Sequence, residues 1–482
     1  MNTTKDPWFL LLAFALACGP LPVVQDEADG SGGSTASATA GSSGDEPTSQ
    51  PGPSTSSSTV GDPTGASAET DPDSTGAATT GPAPLDCAEI VVADTTLRKA
   101  VREALNIADD APITAELAAQ LTELDIPSVD GAFVDDLAGL QCFPNLERVF
   151  IRGSIVSDLA PLAGLQRLER LELRDGKVAT LAGLTDVPAL WGLVLDGNPL
   201  ADLTGVAGMP ALWRLSIVGT PPLDLAPLAG HPTLAELDAT DSTPLDLLPL
   251  ASVPNLELLH LGGCGLADID ALEGASSLKL LDLDDNAVAD LSALASMPEL
   301  ATLNASGNQI VDLGPLAQAS KLEFLGLSDN KVVDLTPLAG TALVSLYISD
   351  NPLAGLAGLE DLPLYELYAN NTGITSLVAA GPMTLFNLEV DDNALTDLGP
   401  LAGHMALAQL NAENNAIVSL ASIQDAPFLT DQCSNLYVRG NPLDSESVDT
   451  IIPFLCMHNT FVAWDPDNNC WPDAPMCQLS DP

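Results

Sequence analysis

The sequence predicts an α/β repeat solenoid, in which short parallel strands stack side by side and a brief turn leads from each strand to the next. Three observations support this fold class. The chain has 482 residues, which is too long for one ordinary globular core. Its hydrophobic fraction of 46% requires a large buried interior. From Leu146 to Leu322, a Leu opens a new segment every 22 residues, and stacked repeats bury a continuous core.

Each repeat unit has a strand half and a turn half, in the pattern LxxLxLxxNxLxDLxPLAxL. The alternating leucines of the first half predict a short strand whose leucines face inward. The second half suits a 3₁₀ or irregular turn, and parallel strands require such a crossover. A wide sheet opposite narrow turns predicts a leucine-rich repeat horseshoe, with the parallel sheet on the concave face and the turns on the convex face. Further units open at Leu343, Leu364, Leu385 and Leu407.

The ninth position of the unit is usually Asn. A side-chain amide in the turn after each strand can satisfy buried backbone groups, so we interpret this column as a structural ladder rather than a binding site. Where Asn is lacking, the replacements are small, and Ser, Thr and Cys keep a hydrogen-bond donor. The ladder comprises Asn198, Asn286, Asn308, Asn330, Asn351, Asn393, Asn415 and Asn441, and the replacements are Ser154, Gly176, Thr220, Ser242, Cys264 and Thr372.

A second column consists of Asp residues that precede the turn. Their type and place suit N-capping of the 3₁₀ turn, which contributes roughly 1 kcal/mol per cap. Carboxylates stacked at a strand spacing of about 5 Å would also suit shared Ca²⁺ ions. Because such neighbours repel by only roughly 0.8 kcal/mol in water, the column needs no metal, and we favour caps. Its members are Asp158, Asp202, Asp224, Asp246, Asp268, Asp290, Asp312, Asp334 and Asp397.

The N-terminus has the features of an export signal followed by a tether. The apolar run from Trp8 to Ala17, about ten residues, is too short to span a bilayer. Residues 14–18, Phe-Ala-Leu-Ala-Cys, resemble a bacterial lipobox, which implies lipid attachment at Cys18; the alternative is an ordinary secretory peptide with a chance Cys. Residues 25–84 are almost wholly Gly, Ser, Thr, Pro, Ala and acids, which predicts a disordered tether. We assign 1–17 to the signal peptide and 18–84 to the lipid-attachment Cys and tether.

The repeats resemble the bacterial internalin-like class of leucine-rich repeat proteins, over roughly residues 87–464. Residues 90–105 look like the helical N-terminal cap of that family. Independently of the resemblance, Leu97, Val101 and Leu105 form an apolar stripe behind the capping Asp94, which predicts an amphipathic helix. Residues 441–452 and 460–464 predict a closing helix and strand. The predicted domains are a helical N-terminal cap at 85–120, leucine-rich repeats at 121–432, and a C-terminal repeat and cap at 433–482.

The C-terminus departs from the internalin pattern. Internalins usually carry a C-terminal sorting motif that attaches them to the cell wall, and residues 478–482 have none. We therefore expect anchoring at Cys18.

The cysteines cluster at the two ends of the predicted array. Cys87 and Cys142 flank the N-terminal cap, and we predict a disulfide between them. Disulfides at both ends suit an oxidising, extracytoplasmic compartment. A zinc site in the C-terminal cluster is disfavoured because CxxC spacing is lacking, so we expect no metal and no cofactor. Three disulfide connectivities remain open for that cluster, which comprises Cys433, Cys456, Cys470 and Cys477.

Charge and motif content argue against two classes of function. The chain carries 15 Lys and Arg against 66 Asp and Glu, a net charge of −51, whereas nucleic-acid binders need clustered cations. No HExxH, GxSxG, P-loop or EF-hand motif occurs. His260 has Asp238 and Asp282 at the equivalent position of the adjacent units, which we interpret as a solvated pair. We therefore expect a non-enzymatic protein.

Candidate binding residues lie between the strand leucines, at outward positions. Early units present Arg148, Arg170 and Arg214 among acids, which predicts either a steering rim or a self-neutralising surface. Later units concentrate aromatic residues, although aromatics are only 4% of the chain. Crowded exposed rings are typical of binding surfaces, while the alternative is rings that pack on one another. These rings are Phe324, Tyr347, Tyr365, Tyr368 and Phe386.

Together these features predict a surface-displayed binding module that recognises a protein or a glycan on its concave face. The alternative is a structural envelope lipoprotein without a specific ligand. From the lipobox resemblance we expect an extracytoplasmic protein of a bacterial cell envelope, held at the outer membrane or cell surface by its lipid. The expected partners are a protein or polysaccharide and a membrane, but no nucleic acid.

Overall fold

The computed structural model describes residues 87–470, except for residues 88, 128–132, 222, 244, 431–432, 459 and 466–467. The predicted signal peptide, lipid attachment at Cys18 and tether, and also Cys477, lie outside the described residues. No helix in the described part is long and apolar enough to cross a membrane.

The described residues form one open solenoid around a 17-stranded sheet. Fifteen parallel pairings join β1 to β16 in chain order, and β17 is antiparallel to β16. The predicted parallel sheet is thereby confirmed. The strands are β1 (Glu123–Ile126), β2 (Arg148–Arg152), β3 (Arg170–Arg174), β4 (Gly192–Val194), β5 (Arg214–Ser216), β6 (Glu236–Asp238), β7 (Leu258–His260), β8 (Leu280–Asp282), β9 (Thr302–Asn304), β10 (Phe324–Gly326), β11 (Ser345–Tyr347), β12 (Glu366–Tyr368), β13 (Asn387–Glu389), β14 (Gln409–Asn411), β15 (Ser434–Tyr437), β16 (Thr460–Asp465) and β17 (Asn468–Cys470).

The crossovers between strands are mostly single 3₁₀ turns, as the sequence predicts. They are Leu140–Cys142, Ala160–Leu162, Thr204–Gly208, Ala226–Leu228, Leu248–Ser252, Asp270–Leu272, Ser292–Ser296, Gly314–Leu316, Thr336–Gly340, Val378–Ala380 and Gly399–Leu401. The α-helices lie near the ends of the array: α1 (Thr95–Ala104), α2 (Ala115–Ala118), α3 (Pro427–Thr430) and α4 (Ile452–Met457), with a π-helical turn at Ser447–Ile451 before α4.

One continuous apolar core lies between the sheet and the turns. In the unit that opens at Leu278, the strand leucines Leu281 and Leu283 are fully buried, and the turn leucines Leu291 and Leu294 close over them. The same positions recur in every unit, so each unit buries its leucines against both neighbours.

Both ends of this core are covered by helices. At the first end, α1 packs against β1; it begins at Asp94, whose Oδ1 accepts a hydrogen bond from the backbone N–H of Leu97 at 2.7 Å. Leu97 and Val101 are fully buried on its inner side. At the other end, α4 packs against β16. The N-terminal helix lies where the sequence predicts it, whereas the closing helix spans residues 447–457 rather than 441–452.

Disulfides fasten both caps. Cys87 and Cys142 are bonded, with Cα atoms 5.5 Å apart, which confirms the predicted pair. Cys456 is bonded to Cys470, which excludes the two connectivities that pair Cys456 elsewhere. Cys433 is also disulfide-bonded. Disulfides at both ends fit an extracytoplasmic, oxidising environment.

The Asn column forms the predicted ladder and ties each unit to the one before it. Asn308 donates through Nδ2 to the carbonyls of Ala305 and Ser306 in its own unit and of Leu283 in the preceding unit, at 2.9–3.1 Å. Its Oδ1 accepts from the backbone N–H of Val288 at 2.8 Å. One amide therefore satisfies four backbone groups on two units. Ser242 and Cys264 donate to the equivalent carbonyls, as predicted.

All nine Asp residues of the second column accept a hydrogen bond from the turn that follows. Each lies one residue before the N-cap position of that turn. Asp290 Oδ1 accepts from the backbone N–H of Ser292 at 2.8 Å, and Leu291 occupies the cap position between them. The predicted position of these Asp residues was therefore wrong by one residue. Their predicted role was right, because the carboxylate still satisfies a free N–H of the turn. That hydrogen bond lowers the pKa of Asp290. The other eight residues make the same contact.

The residue before each ladder position has a left-handed backbone, a feature that the sequence analysis missed. Its φ lies between 51° and 71° in the described units, as at Gly307, Asp329 and Asp350. Only Gly, Asp and Asn occupy this column, and these are the residue types that tolerate such a conformation. Part of the acidity of the chain is therefore a consequence of turn geometry.

Replacing Asn308 by Ala should lower the free energy of unfolding by on the order of 3 kcal/mol, because buried backbone groups lose their partners. Asn308→Thr should lose less, since Thr220 and Thr372 occupy the same position naturally. Urea denaturation of both variants measures this. As a control, Gln309→Ala at the exposed neighbouring position should change stability by less than about 0.5 kcal/mol. Equal losses at both positions would contradict the ladder.

Candidate functional site

The outward side chains of the sheet form a surface that we call the strand face. They occupy the second, third, fifth and seventh positions of each unit. Parallel pairing places equivalent positions of neighbouring units side by side, as it does for Tyr347 and Tyr368. Columns of like positions therefore cross the sheet at a spacing of about 4.8 Å, so a side chain contacts those of the units on either side.

Three of the five predicted rings, Phe324, Tyr347 and Tyr368, form what we call the central stack. The ring centroids of Tyr347 and Tyr368 are 4.3 Å apart, with an interplanar angle of 12°. Phe324 lies 5.3 Å from Tyr347 at an angle of 38°. All three side chains are half-buried. The stack spans β10, β11 and β12, one ring per strand.

Polar groups surround the central stack. The Oε2 atom of Glu366 accepts a hydrogen bond from Ser345 Oγ at 3.0 Å and from Tyr347 Oη at 3.5 Å. Asn387 Nδ2 donates to Tyr368 Oη at 2.7 Å. Burial, assisted by Tyr368 and Glu366, raises the pKa of Tyr347 well above its ordinary value. The Tyr347 hydroxyl therefore stays protonated near neutral pH.

The other two rings, Tyr365 and Phe386, form a separate pair that we call the edge stack. Their centroids are 4.8 Å apart and their planes differ by 5°. They remain 44% and 40% exposed. Both occupy the second position of their units, at the start of the strand, whereas the central stack uses the third and fifth positions. The predicted single patch is therefore two stacks on neighbouring strands.

Two tryptophans that the sequence analysis did not select lie in the same column as the edge stack. Trp191 and Trp213 also occupy the second position of their units, and Trp213 is 40% exposed. The sequence could have identified them, because Trp191, Trp213, Tyr365 and Phe386 all occupy the second position of their repeat units. Trp213 provides an exposed ring on the same column but several units away from Tyr365.

The predicted arginines of the early units are paired with carboxylates. Arg148 Nε is 3.3 Å from Glu123 Oε2, and Arg214 Nε is 3.2 Å from Glu236 Oε1. Arg170 lies 4.0 Å from Glu172. The pairing favours the self-neutralising interpretation of this surface over a steering rim.

Glu172 is the centre of this early charge network. It is buried, and it accepts from Arg174 at 2.8 Å and from Arg152 at 3.4 Å in addition to its contact with Arg170. Arg174 also reaches Asp196 at 3.1 Å. The charges compensate one another within the protein.

The late units end in a group of acidic side chains. Burial, with the neighbouring charges of Glu413, Glu389 and Asp392, raises the pKa of Asp391 to about 6, although the backbone N–H of Glu413 donates to its Oδ1 at 2.6 Å. Burial also raises the pKa of Glu389. Arg439 pairs with Glu413 at 3.3 Å, and among the described residues no Lys or Arg forms an ion pair with Glu389 or Asp391.

His260 lies beside the acids that the sequence placed next to it. Its Nδ1 is 3.8 Å from Asp282 Oδ2. Burial disfavours its charged form, but the contact with Asp282 and the charges of Asp238 and Glu236 outweigh burial and raise its pKa. The surrounding carboxylates therefore favour the protonated form of the imidazole. The pair with Asp282 is the one expected from the sequence, but it is half-buried rather than solvated.

Comparison with known proteins gives structural likeness alone. No protein-family model and no curated protein sequence matches the chain. An internalin of Listeria monocytogenes (inlF) is similar over 78% of this chain and 96% of its own, with a TM-score of 0.55 and 22% identity. The fold is that of the leucine-rich repeat proteins.

Two further solved structures agree. A leucine-rich repeat protein of Leptospira interrogans covers 73% of this chain and 97% of its own, with a TM-score of 0.59 and 18% identity. The functional domain of InlJ from Listeria monocytogenes, which includes a cysteine ladder, covers 75% and 77%, with a TM-score of 0.59 and 20% identity. In the present chain a single Cys264, buried and free, occupies the ladder column.

The raised pKa of Asp391 predicts a specific pH dependence of stability. The contribution of Asp391 to the free energy of unfolding is fully present below pH 3.8, the ordinary pKa of Asp. It is lost as the pH rises through the raised pKa of about 6. Asp391→Asn keeps the acceptor oxygen without the charge, so the variant should lose less stability than the native chain between about pH 4 and pH 7.5. The difference should be on the order of 1 kcal/mol or less, because solvent screens this partly exposed side chain.

Thermal melting at the two pH values measures this dependence. Asp361→Asn, at an exposed carboxylate away from the acidic group, should keep the native pH dependence. A steeper loss of stability in Asp391→Asn than in the native chain would contradict the assignment.

Proposed function

We propose that the protein is a surface-displayed recognition module that binds a partner protein through the strand face, with the central stack and the edge stack as its anchors. The observation that carries the proposal is the crowding of rings on outward positions. Three of the four Tyr residues of the chain lie in these stacks, although aromatics are scarce overall. The strand leucines beneath them already fill the core, so these rings are not needed to close it.

The energetics of interfaces support the same choice of surface. Tyr and other large rings carry most of the binding energy at protein interfaces, with truncations often costing about 2 kcal/mol or more. Rings that are already stacked lose little conformational freedom when a partner docks. A structural envelope protein without a ligand would have no need for this cluster.

A protein partner is favoured over a glycan by the way the rings pack. A saccharide stacks on a broad open aromatic face, whereas Tyr347 and Tyr368, and likewise Tyr365 and Phe386, each cover one face of the other ring. Single ring faces, ring edges and polar groups such as Glu366 remain accessible, and this mixture suits the side chains and backbone of a polypeptide.

The proposed location is a bacterial cell surface. Residues 14–18 supply the lipobox-like segment and residues 25–84 a tether long enough to hold the array clear of a membrane. Lipid attachment at Cys18 would place the strand face where an external partner can reach it.

The proposed site is tested with binders selected from libraries, so the natural partner need not be identified first. A random-peptide library and a glycan array are screened against the full chain, and the binders are then titrated against Tyr347→Ala with Tyr368→Ala. Peptide binders should lose about 2 kcal/mol of affinity or more. The double variant should lose only on the order of 1 kcal/mol of stability, because ring stacking contributes about that much.

Trp213→Ala is the matched control, since it removes an exposed ring from the same face outside the proposed site. It should leave the affinity of the selected peptides unchanged. Binders that ignore the loss of Tyr347 and Tyr368 would place the site elsewhere, and binders found only on the glycan array would overturn the choice of a protein partner.

Cys18→Ala should release the protein from membranes, because the proposed lipid is then lost. Detergent phase partitioning of the expressed full chain measures this, with Ser34→Ala in the tether segment as the control. Unchanged partitioning of Cys18→Ala into the detergent phase would refute lipid attachment.

A further inference from the structure

The two halves of the strand face differ in charge. The outward positions of the units that contain β9 to β14 carry no Lys or Arg. The same positions carry five carboxylates, interleaved with the five rings of the two stacks. By contrast, five arginines occupy the strand face between β2 and β5. The carboxylates are Glu323, Glu366, Glu389, Asp391 and Glu413.

In the early half, an arginine of the chain itself lies against rings and a carboxylate. The guanidinium carbon of Arg170 is 5.3 Å from the ring centroid of Phe150 and 6.0 Å from that of Trp191. Its Nη2 atom is 4.0 Å from Glu172 Oε2. The planar guanidinium thus combines a cation–π contact with an ion pair, a combination to which arginine is better suited than lysine.

The same arrangement of ring and carboxylate recurs at β12 and β13, with an amide in place of the arginine. The strand register places Tyr368 beside Glu389, as it places Phe150 beside Glu172. Asn387 occupies the third position of its unit, where Arg170 stands in the early unit. We call the position between Tyr368 and Glu389 the ring–carboxylate site.

One face of the Tyr368 ring is not covered by another ring of the described residues. Tyr347 on β11 covers the other face at 4.3 Å, so the uncovered face points towards β13 and Glu389. Burial raises the pKa of Glu389 even though Asn370 and Gln409 donate hydrogen bonds to its carboxylate at 3.4 Å, and burial with the neighbouring acids raises the pKa of Asp391. A cation placed there would therefore gain both a ring face and a poorly compensated carboxylate.

We propose that the partner supplies this cation: an arginine of an extended, basic polypeptide segment lies between Tyr368 and Glu389, with the rest of the segment along the acidic strand face of β9 to β14. The inference rests on the proposed function and specifies the chemistry of the partner. The arginine of the partner would make the same ring and carboxylate contacts with Tyr368 and Glu389 that Arg170 makes with Phe150 and Glu172 within the chain. Its remaining basic side chains face Glu366, Asp391 and Glu323.

The test uses three synthetic ten-residue peptides in which Ser alternates with Arg, Gln or Glu. Each peptide is titrated calorimetrically against the full chain at physiological salt, which weakens nonspecific attraction to the negative protein. The Arg peptide should bind at least about tenfold more tightly than the Gln peptide, and the Glu peptide should not bind. Equal affinities for the Arg and Gln peptides would overturn the proposal.

Three variants locate the contact. Asn387→Arg should occupy the ring–carboxylate site from within the chain, block the Arg peptide and preserve or raise the melting temperature. Tyr368→Leu should weaken binding of the Arg peptide about tenfold.

Glu273→Gln is the control, because it removes one exposed carboxylate on the turn side. Its affinity for the Arg peptide should stay within about twofold of the native value because distant charges are screened. Equal weakening by Glu273→Gln, or full binding to Asn387→Arg, would show attraction to net charge alone and overturn the proposal.

The library selection separates this proposal from the proposed function. If the selected peptides depend on Tyr347 and Tyr368 but carry no arginine, the recognition module stands and the arginine contact is wrong. If they ignore both rings, the proposed function and the arginine contact fail together.

Discussion

The fixed register between consecutive strands is the constraint on which the rest of the structure depends. Each ladder amide bonds carbonyls of two units, as Asn330 does with Leu327 of its own unit and Ala305 of the unit before. The units that open at Leu322, Leu343 and Leu364 have 21 residues rather than 22, and the missing residue falls in the turn half. The ladder and the strand pairing stay unchanged there, so outward residues remain aligned in columns.

Aligned columns explain how a regular fold carries a local surface. A residue placed at an outward position contacts its equivalents on the neighbouring strands, so two adjacent units with Tyr at the fifth position produce a ring stack without any change in the backbone. The charge network at Glu172 combines a contact across strands, with Arg152, and a contact along its own strand, with Arg174. Side chains 21 or 22 residues apart in the sequence therefore lie side by side on this sheet, and their identities determine its binding surface.

Several details lay beyond sequence reasoning for identifiable physical reasons. The Asp column was predicted to cap turns, but whether Asp290 or Leu291 holds the cap position depends on backbone angles that the repeat pattern does not specify. The left-handed column at Asp329 is restricted to Gly, Asp and Asn, but these residue types also favour turns with ordinary backbone angles. The sequence also did not show that the rings form two stacks. The structure shows that rings at the third and fifth positions contact one another, whereas rings at the second position form a separate pair.

The sequence by itself determined the solenoid, its caps, the ladder and the crowding of rings on late units, because a periodic pattern of leucines admits one way of burying them. The Cys87–Cys142 pair also followed from the sequence. Only the tertiary structure decided which charges are compensated within the protein. Arg170 contacts Phe150 of the preceding unit and Glu172 of its own strand, whereas among the described residues no such cation lies between Tyr368 and Glu389. The repeat pattern aligns these side chains in columns, but their conformations, which decide the contacts, are not specified by composition or motif.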